Sequence, residues 1–295
     1  MPQREIDKAF VRSLLPARPD AGHKGMFGHV FVIAGSRGFT GAAKLTADGA
    51  ARSGVGLVTV GTPKPLGDIV ASALTEPMTM LLPATDRETL AEAALDPALE
   101  FASNKNAVVL GPGLSQHPET RRFVLEFVRR CAVAMIIDAD GLNCLAADPQ
   151  ALVRKDSIAR VVTPHPGEMA RLTGRTSAEI QMNRSAAAAA FAAQYGCVVV
   201  LKGHRTVVAD GPDNVFTNPT GNAGLASGGT GDVLAGLLGG LLAQGMTGLN
   251  AAVVGVYLHG LAGDLAAAKL TQRGMIAGDV VLAIPEAWRA VEESD

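Results

Sequence analysis

The sequence contains few charged residues, few aromatic residues and few cysteines. Charged residues make up 18% of the 295 residues and aromatic residues 4%, whereas hydrophobic residues make up 48%, and the formal net charge is −2. A chain with this balance can bury enough apolar surface to fold, and it has no excess of positive charge that would attract a polyanion. We therefore expect a folded protein that does not bind nucleic acid.

The three cysteines, Cys131, Cys144 and Cys197, are too few and too scattered for a disulfide framework or a zinc site. We expect them to be reduced and to fill the core. The first residues, MPQREIDKAFVRSLLP, lack the long apolar stretch of a secretory signal. These two observations predict a cytoplasmic protein.

The sequence also lacks an uninterrupted apolar run of membrane-spanning length. The most apolar region consists of Val233 to Ala243 and then Ala251 to Ala268, and polar residues interrupt it before a span of about 20 residues is complete. The interrupting residues are Gln244, Asn250, His259 and Asp264. We therefore expect buried helices in this region and no membrane partner.

Short β-branched runs alternate with helix-like stretches along the chain. The runs are HVFVIAG, GLVTVGT, NAVVLGPG, AMIIDAD, RVVTPHP and CVVVLKG. Each ends in a Gly, Pro or Asp signal, which predicts an α/β fold with a mainly parallel sheet covered by helices on both faces. TVVADGPDNVFTNP differs, because its two β-rich arms around GPDN predict a hairpin that adds antiparallel strands to one edge of the sheet. No repeat or linker divides the chain, so we expect residues 1–295 to form one domain with a short extension over about 1–20.

Glycines and polar side chains follow several of the predicted strands. GPGLS follows NAVVL, DADGLN follows AMII, TPHPGE follows RVV, and KGHRT follows CVVVL. In open parallel sheets, ligands bind at the carboxyl ends of the strands. Each motif alone is weak evidence, but together they predict a binding site at this edge.

The densest cluster of glycines, ASGGTGDVLAG, directly precedes an apolar helix-like run. Glycines allow successive backbone N–H groups to point at one centre, and the N-terminus of a helix adds its positive pole. The pattern predicts an anion hole formed by Gly229 and Gly231. Asp232 beside it is placed to take a proton from a hydroxyl that attacks a terminal phosphoryl group. The alternative is that Asp232 simply caps the helix.

Other nucleotide-binding signatures are absent or incomplete. GxxxxGK[ST] does not occur, which excludes a P-loop protein. In VFVIAGSRGFTG the glycines at 35, 38 and 41 fit GxxGxxG and not the dinucleotide pattern GxGxxG. This stretch predicts a tight strand-to-helix turn whose small residues admit a ligand or a neighbouring backbone.

Seven stretches together resemble one known family. They are HKGMFGHVFVIAGS, GAAKLTADGAARSGVGLVTV, VVLGPGL, IDADGLN, TPHPGEMARL, VVLKGHRTVV and NPTGNAGLASGGTGDVLAG. In this order, over roughly residues 20 to 285, they resemble the NAD(P)H-hydrate dehydratase family of the ribokinase-like superfamily, in its standalone bacterial form. GGTGD alone marks the superfamily, whereas HKGxxG, TPHPGE and NPTGN narrow the resemblance to the dehydratases.

The resemblance implies repair of NADH and NADPH that have been hydrated at C6 of the nicotinamide ring, as their S epimers. Phosphorylation of the C6 hydroxyl converts a poor leaving group into phosphate, which the lone pair of the ring nitrogen can expel. The expected co-substrate is ADP, giving AMP and phosphate, or else ATP, with Mg²⁺ as the usual neutralising cation. The alternatives are a small-molecule kinase of the same superfamily and a non-catalytic nucleotide-binding protein.

The resemblance also implies roles for individual residues. Asp232 is the expected catalytic base, and Gly229 and Gly231 are expected to hold the transferred phosphoryl group. The expected contacts to the hydrated dinucleotide are Ala42 or Ala43, Gly113, His165 and Asp232. The expected contacts to the AMP part are Lys202, Gly203, His204, Arg205, Thr206 and Gly231. Without the resemblance, Lys202 could be a surface lysine at a strand end and His165 a solvated loop residue.

Metal ligands and partners are less defined by the sequence. Asp138 and Glu168 are the nearest candidates for water-mediated contacts to Mg²⁺, whereas Asp140 and Asn143 could instead cap the helix that follows them. The resemblance implies a homotetramer. About 20 residues precede HKGMFG, too few for a hydrate epimerase domain, so we expect a separate epimerase in the same pathway.

Overall fold

The structure is a computed structural model that describes residues 3–154 and 156–293. Ten strands in these residues form one sheet, in the order β1-β10-β9-β8-β7-β6-β5-β2-β3-β4. The strands are β1 (Gln3–Glu5), β2 (His29–Ile33), β3 (Leu57–Pro63), β4 (Met78–Leu82), β5 (Ala107–Leu110), β6 (Met135–Ile137), β7 (Arg160–Val162), β8 (Val198–Leu201), β9 (Val207–Ala209) and β10 (Val215–Thr217).

Helices cover both faces of the sheet. They are α1 (Lys8–Ser13), α2 (Thr40–Ala51), α3 (Gly67–Ala73), α4 (Leu95–Ala102), α5 (Pro118–Arg130), α6 (Asp140–Leu145), α7 (Pro166–Thr173), α8 (Ser177–Met182), α9 (Arg184–Tyr195), α10 (Thr230–Ala243), α11 (Gly248–Gly274) and α12 (Ala277–Glu292).

The central strands are buried on both faces, as their continuous apolar sequences predict. In β2, Val30 and Val32 face a core shared with α2, α10, α11 and α12. Phe31 and Ile33, which alternate with them, face a second core shared with α4, α5, α6 and α9. The three cysteines are unpaired and buried, which confirms that they fill the core. The predicted α/β class with helices on both faces is therefore confirmed.

The predicted hairpin is present as β9 and β10 and adds antiparallel pairing near one edge of the sheet, which confirms the prediction. β9 runs antiparallel to both β8 and β10, and every other pairing is parallel. β1 pairs with β10 and forms the outermost strand on that side. The region expected to be an extension thus contributes a strand, and its Ile6 and Val11 are fully buried in the core.

Glycines allow α2 and α10 to pack in direct backbone contact. A Cβ built on Gly236 of α10 would lie 1.9 Å from the carbonyl oxygen of Thr46, and one built on Gly49 of α2 would lie 2.3 Å from the carbonyl oxygen of Val233. Leu45 lies beside Gly229 at the start of α10, so the two helices run parallel. Gly236 is the last glycine of ASGGTGDVLAG. The sequence analysis assigned the anion hole to Gly229 and Gly231 and gave Gly236 no role of its own, and the structure shows that Gly236 serves helix packing.

The apolar helix α11 belongs to the core. By length and composition it could cross a membrane, with a mean hydropathy of 1.4 over its most apolar 18 residues. The expectation that polar residues interrupt every span of that length was therefore wrong. Within the protein, 67% of that stretch is buried, and α11 packs against α10 and α12.

Gly236→Ala should destabilise the protein by about 3 kcal/mol, because the added methyl group would push the backbones of α2 and α10 apart. Urea unfolding measures the change. Gly278→Ala is the matched control, since a Cβ built on this helical glycine of α12 meets nothing within 4 Å. Equal stability of the two variants would contradict the proposed packing role of Gly236.

Candidate active site

Four charged side chains meet where the carboxyl ends of β6, β7 and β8 face the N-terminus of α10. Asp138 follows β6, Lys202 follows β8, and Glu168 and Asp232 lie in the first turns of α7 and α10. Nζ of Lys202 lies 2.6 Å from Oδ1 of Asp138 and 3.8 Å from Oε2 of Glu168. A Cβ built on Gly231 would lie 3.5 Å from the same Nζ, so the start of α10 faces this cluster.

Asp232 is the third residue of α10 and does not cap it. The cap position is occupied by Gly229 with a left-handed φ of 92°, and no side chain in the described residues caps the helix there. The N–H groups of the first turn are therefore available to an anion. The carboxyl group of Asp232 is partly exposed. This arrangement excludes the alternative that Asp232 is a plain N-cap.

The surroundings of Asp232 favour its protonated form. Burial raises the pKa of Asp232 to about 7, and the neighbouring Asp138 adds to the effect while Lys202 opposes it. Burial likewise raises the pKa of Glu168 to about 7, again against the charge of Lys202. Burial alone would lower the pKa of Lys202, but Asp138 and Glu168 outweigh it and raise the pKa, so Lys202 remains charged. A carboxyl group that titrates near neutral pH is well suited to act as a general base.

A cavity of about 470 Å³ adjoins the start of α10. Its walls come from the KGHRT segment, the NPTGN loop, the first turn of α10 and the middle of α11. The lining includes all the residues expected to contact AMP, namely Lys202, Gly203, His204, Arg205, Thr206 and Gly231. The structure thus brings these residues together, and their contacts to a nucleotide stay a prediction.

The loop that borders this cavity is held in place by an arginine that the sequence did not single out. Nη2 of Arg184 donates to the carbonyl oxygen of His204 at 2.6 Å and also to that of Arg205. Arg205, which has a φ of 56°, pairs through its guanidinium group with Glu5 in β1. The KGHRT loop is therefore fixed from both sides.

A cavity of similar size, about 480 Å³, lies at the opposite ends of α2 and α10, beside Phe27 and Trp288. Its lining includes none of the four charged residues of the cluster. Of these two cavities, only the one beside the start of α10 is lined by a residue of the charged cluster, Lys202.

The NPTGN motif has a structural role that sequence reasoning missed. Nδ2 of Asn218 donates to the carbonyl oxygen of Val256 at 2.9 Å, and Nδ2 of Asn222 donates to Oδ1 of Asp264 at 2.9 Å. These hydrogen bonds attach the loop to α11. The two asparagines were used only to recognise the family, although a pair of amides in a Gly-containing loop is itself a signal of loop anchoring.

His259 was also missed as a site residue, because it was considered only as a polar interruption of an apolar run. It is 8% exposed in α11, and its Nε2–H donates to the carbonyl oxygen of Thr230 at 2.9 Å. Burial lowers the pKa of His259 to about 4, so the ring is neutral. His259 thereby fixes the first turn of α10, where Asp232 lies.

His165 caps α7 at the edge of the site. Its Nδ1 accepts from the backbone N–H of Gly167 at 3.0 Å. The backbone N–H of His165 donates to Oε2 of Glu168 at 2.8 Å. Burial lowers the pKa of His165, with Lys202 adding to the effect, so the ring is neutral and carries its proton on Nε2. The side chain is half exposed. His165 thus shapes the TPHPGE loop, and its contact to the dinucleotide stays a prediction.

The small residues expected to contact the dinucleotide lie together. Gly113 has a φ of 65°, and a Cβ built on it would lie 3.0 Å from Cβ of Ala42. Ala43 is fully buried and packs beneath Gly35. Ala42 is partly exposed. Of the two alanines, Ala42 is therefore the one whose side chain can touch a ligand.

Asp140 does not cap α6, and that prediction was wrong. The cap position belongs to Ala139, with no side-chain cap among the described residues. Oδ2 of Asp140 instead accepts from the backbone N–H of Ser115 at 2.8 Å, and its Oδ1 accepts from Nδ2 of Asn143 at 3.1 Å. Ser115 has a φ of 75°, which is strained for a residue with a side chain. Asp140 thus stabilises the loop after β5.

The described residues contain no group of three or more His, Cys, Asp or Glu side chains that could hold a metal ion. Asp138 is paired with Lys202, and Glu168 accepts a hydrogen bond from the backbone of His165. A divalent cation would therefore depend on ligands that a nucleotide supplies.

A sequence model of the NAD(P)H-hydrate dehydratase family matches residues 30–286. The chain belongs to this family. It is 46% identical over 291 residues to a bifunctional NAD(P)H-hydrate repair enzyme of Moorella thermoacetica, covering 99% of this chain and 55% of that protein. It is 36% identical over 273 residues to an ADP-dependent (S)-NAD(P)H-hydrate dehydratase of Neisseria meningitidis, covering 90% and 86%. The chain spans about half the length of the bifunctional relatives.

Solved structures of the family have the same fold. An ADP/ATP-dependent NAD(P)H-hydrate dehydratase from Bacillus subtilis, co-crystallised with ATP and Mg²⁺, has a TM-score of 0.82 and 32% identity, covering 99% of this chain and 100% of that one. A ribokinase-like superfamily protein of Enterococcus faecalis has a TM-score of 0.82 at 25% identity, covering 99% and 97%. The ribokinase-like fold predicted from the sequence is confirmed.

Asp232→Asn should stabilise the free protein at pH 8. Because the pKa of Asp232 rises from 3.8 to about 7 on folding, ionised Asp232 destabilises the folded state above pH 7, and this cost disappears as the pH falls towards 4. We expect a gain on the order of 2 kcal/mol at pH 8 that shrinks between pH 7 and pH 4. Urea unfolding across this pH range measures it. Asp213→Asn, in an exposed turn, is the control, and a less stable Asp232→Asn variant at pH 8 would contradict the prediction.

Proposed function

We propose that this chain removes water from the S epimer of hydrated NADH and NADPH, with ADP or ATP as the phosphoryl donor. The observation that carries the proposal is the partly exposed carboxyl group of Asp232, with a pKa of about 7, beside the uncapped N-terminus of α10. Membership of the family and the adjoining cavity of about 470 Å³ support it.

In the first step, Asp232 accepts the proton of the C6 hydroxyl as that oxygen attacks the terminal phosphoryl group of the nucleotide. Negative charge develops on the transferred oxygens, and the N–H groups around Gly231 lie where they can stabilise it. Lys202 lies within reach of the same space, because its Nζ is 3.5 Å from a Cβ built on Gly231. AMP leaves when the donor is ADP.

In the second step, the C6–O bond breaks and its electron pair leaves with phosphate. The lone pair of the ring nitrogen forms a double bond to C6, and loss of a proton from C5 then gives the dihydropyridine ring. Hydroxide could not leave in this way at neutral pH, whereas phosphate can. The phosphoryl donor is therefore consumed to make a leaving group, and the reaction is a dehydration.

Mg²⁺ would enter this site with the nucleotide and neutralise the charge of its phosphates. The described carboxylates do not form a direct set of ligands, so any contact of the cation with Asp138 or Glu168 runs through water. The Bacillus subtilis relative co-crystallised with ATP and Mg²⁺ supports use of this cation.

We also propose that the protein acts in the cytoplasm as a homotetramer, together with an epimerase that interconverts the hydrate epimers. The sequence composition and the family resemblance support the first two points. The bifunctional repair enzymes among its relatives support a second activity working beside this one. Light scattering during gel filtration would test the tetramer.

The purified protein should restore the dihydropyridine absorbance of hydrated NADH when ADP and Mg²⁺ are added, with equal amounts of AMP and phosphate released. Asp232→Asn should lower kcat by about 10³-fold, because the base is removed. Accumulation of a phosphorylated dinucleotide without the absorbance change would identify a kinase. Failure to form AMP or ADP from either donor would identify a non-catalytic binding protein.

The kcat/KM for the hydrated dinucleotide should fall about tenfold per pH unit below pH 7, because Asp232 must be ionised to act as a base. Lys202→Met should move this acidic limb to higher pH, since Lys202 lowers the pKa of Asp232. Lys269→Met removes an exposed lysine that pairs with Glu286 and should leave the limb in place. An acidic limb below pH 5 in the unmodified protein would contradict the assignment of Asp232.

A further inference from the structure

Phe39 is an exposed aromatic residue on a rigid loop. Its side chain is 57% exposed, at the end of the segment that joins β2 to α2. This segment contains the GxxGxxG pattern, to which the proposed reaction assigns no role. An exposed aromatic ring that its own backbone holds in place is a feature of ligand-binding surfaces.

The loop of Phe39 lies at the point where the direction of the chain connections in the sheet changes. β2 and β5 are neighbours in the sheet. From β2 the chain passes to α2 on one face, and from β5 it passes to α5 on the other. A crevice opens between two such diverging loops, and this is where ligands bind in open α/β sheets.

Hydrogen bonds join the two loops. The N–H of Gly35 donates to the carbonyl oxygen of Pro112 at 2.9 Å, and Oγ of Ser36 donates to the carbonyl oxygen of Gly113 at 2.7 Å. A Cβ built on Gly113 would lie 2.9 Å from Cβ of Phe39, so the loops are in van der Waals contact. The side chain of Phe39 is therefore held outward by a fixed backbone.

The space next to Phe39 is open. A Cβ built on Gly38 or on Gly41 meets nothing within 4 Å. Ala42, the partly exposed alanine, lies on the same turn. A flat ring can therefore approach Phe39 along the first turn of α2, because Gly38 and Gly41 have no side chains to block it.

The position of Phe39 relative to Asp232 follows from the packing of α2 against α10. α2 and α10 run parallel, with Leu45 beside Gly229 at the start of α10. Phe39 precedes Leu45 by six residues, which places it roughly 9 Å further along the helix axis, at a rise of about 1.5 Å per residue. Asp232 lies three residues further along α10 than Gly229, so about 13 Å of helix rise separates the backbone of Phe39 from that of Asp232. The two side chains and a six-membered ring between them together span this distance. A ring whose C6 hydroxyl reaches Asp232 would thus extend towards Phe39.

Resting on the proposed function, we infer that Phe39 packs against the nicotinamide ring of the dinucleotide and turns its C6 hydroxyl towards Asp232. The hydrated ring is puckered because C5 and C6 are saturated, whereas the product ring is nearly flat. A flat ring makes a larger contact with an aromatic face. Phe39 therefore stabilises the ring increasingly as phosphate leaves, which favours the elimination step.

The test combines kinetics with a binding measurement that needs no turnover. Phe39→Ala should raise the KM for hydrated NADH and the Kd for NADH, followed by NADH fluorescence without ADP, by about 10-fold each. The KM for ADP should not change, because the nucleotide cavity lies on the other side of α10. Phe39→Tyr should restore both values, and Phe39→Leu should restore them in part.

Met182→Ala is the matched control, since Met182 is a 79% exposed apolar residue on α8. It should leave every value unchanged. The inference would be overturned if the unmodified protein is active and Phe39→Ala has a KM for hydrated NADH and a Kd for NADH within twofold of the unmodified values. It would also be overturned if Phe39→Ala raised the KM for ADP by the same factor. If the wild-type protein lacks dehydratase activity, the proposed function fails. The NADH titration then decides alone, and wild-type protein that does not bind NADH overturns the inference.

Discussion

Backbone contact between α2 and α10 is the constraint on which the site depends. Gly49 of α2 and Gly236 of α10 bring the two helices so close that each glycine meets the backbone of the other helix. This contact sets the height of the start of α10 relative to the first turn of α2, and so it sets the position of Asp232 relative to Ala42. The catalytic geometry is therefore built into the core packing of two helices and does not depend on a flexible loop.

The charge distribution follows from this placement. Asp138, Glu168 and Asp232 share one buried cation, Lys202, so the cluster has more negative charge than a single lysine can balance. The positive N-terminus of α10 would help to balance this negative charge, but it is directed at the anion hole predicted at Gly229 and Gly231. The site is thus less stable than a fully paired cluster. Burial is the main reason that the pKa of Asp232 rises to about 7, and the excess negative charge adds to it.

Much of the architecture could be predicted from local patterns. Strands buried on both faces, the hairpin and the carboxyl-end motifs depend on neighbouring residues. Of the walls of the cavity beside α10, KGHRT was identified from its position after a strand, whereas NPTGN was noted only through the family resemblance. Contacts between residues distant in sequence were not predictable. Asp140 bonds to Ser115 instead of its own helix, and Gly236 matters because of Thr46. The short strands β1 and β4 lack a periodic pattern of their own.

The order of the strands separates the two regions to which the proposed function assigns the phosphoryl donor and the hydrated dinucleotide. The cavity of about 470 Å³ is built from the segment after β8, the NPTGN loop and α11, whereas the loops after β2 and β5 follow strands that lie on the other side of β7 and β6. In the proposed reaction, donor and acceptor therefore bind in separate halves that meet at Asp232. A ribokinase-like scaffold of this kind can exchange its acceptor by rebuilding two loops, while the machinery that activates the nucleotide is inherited intact.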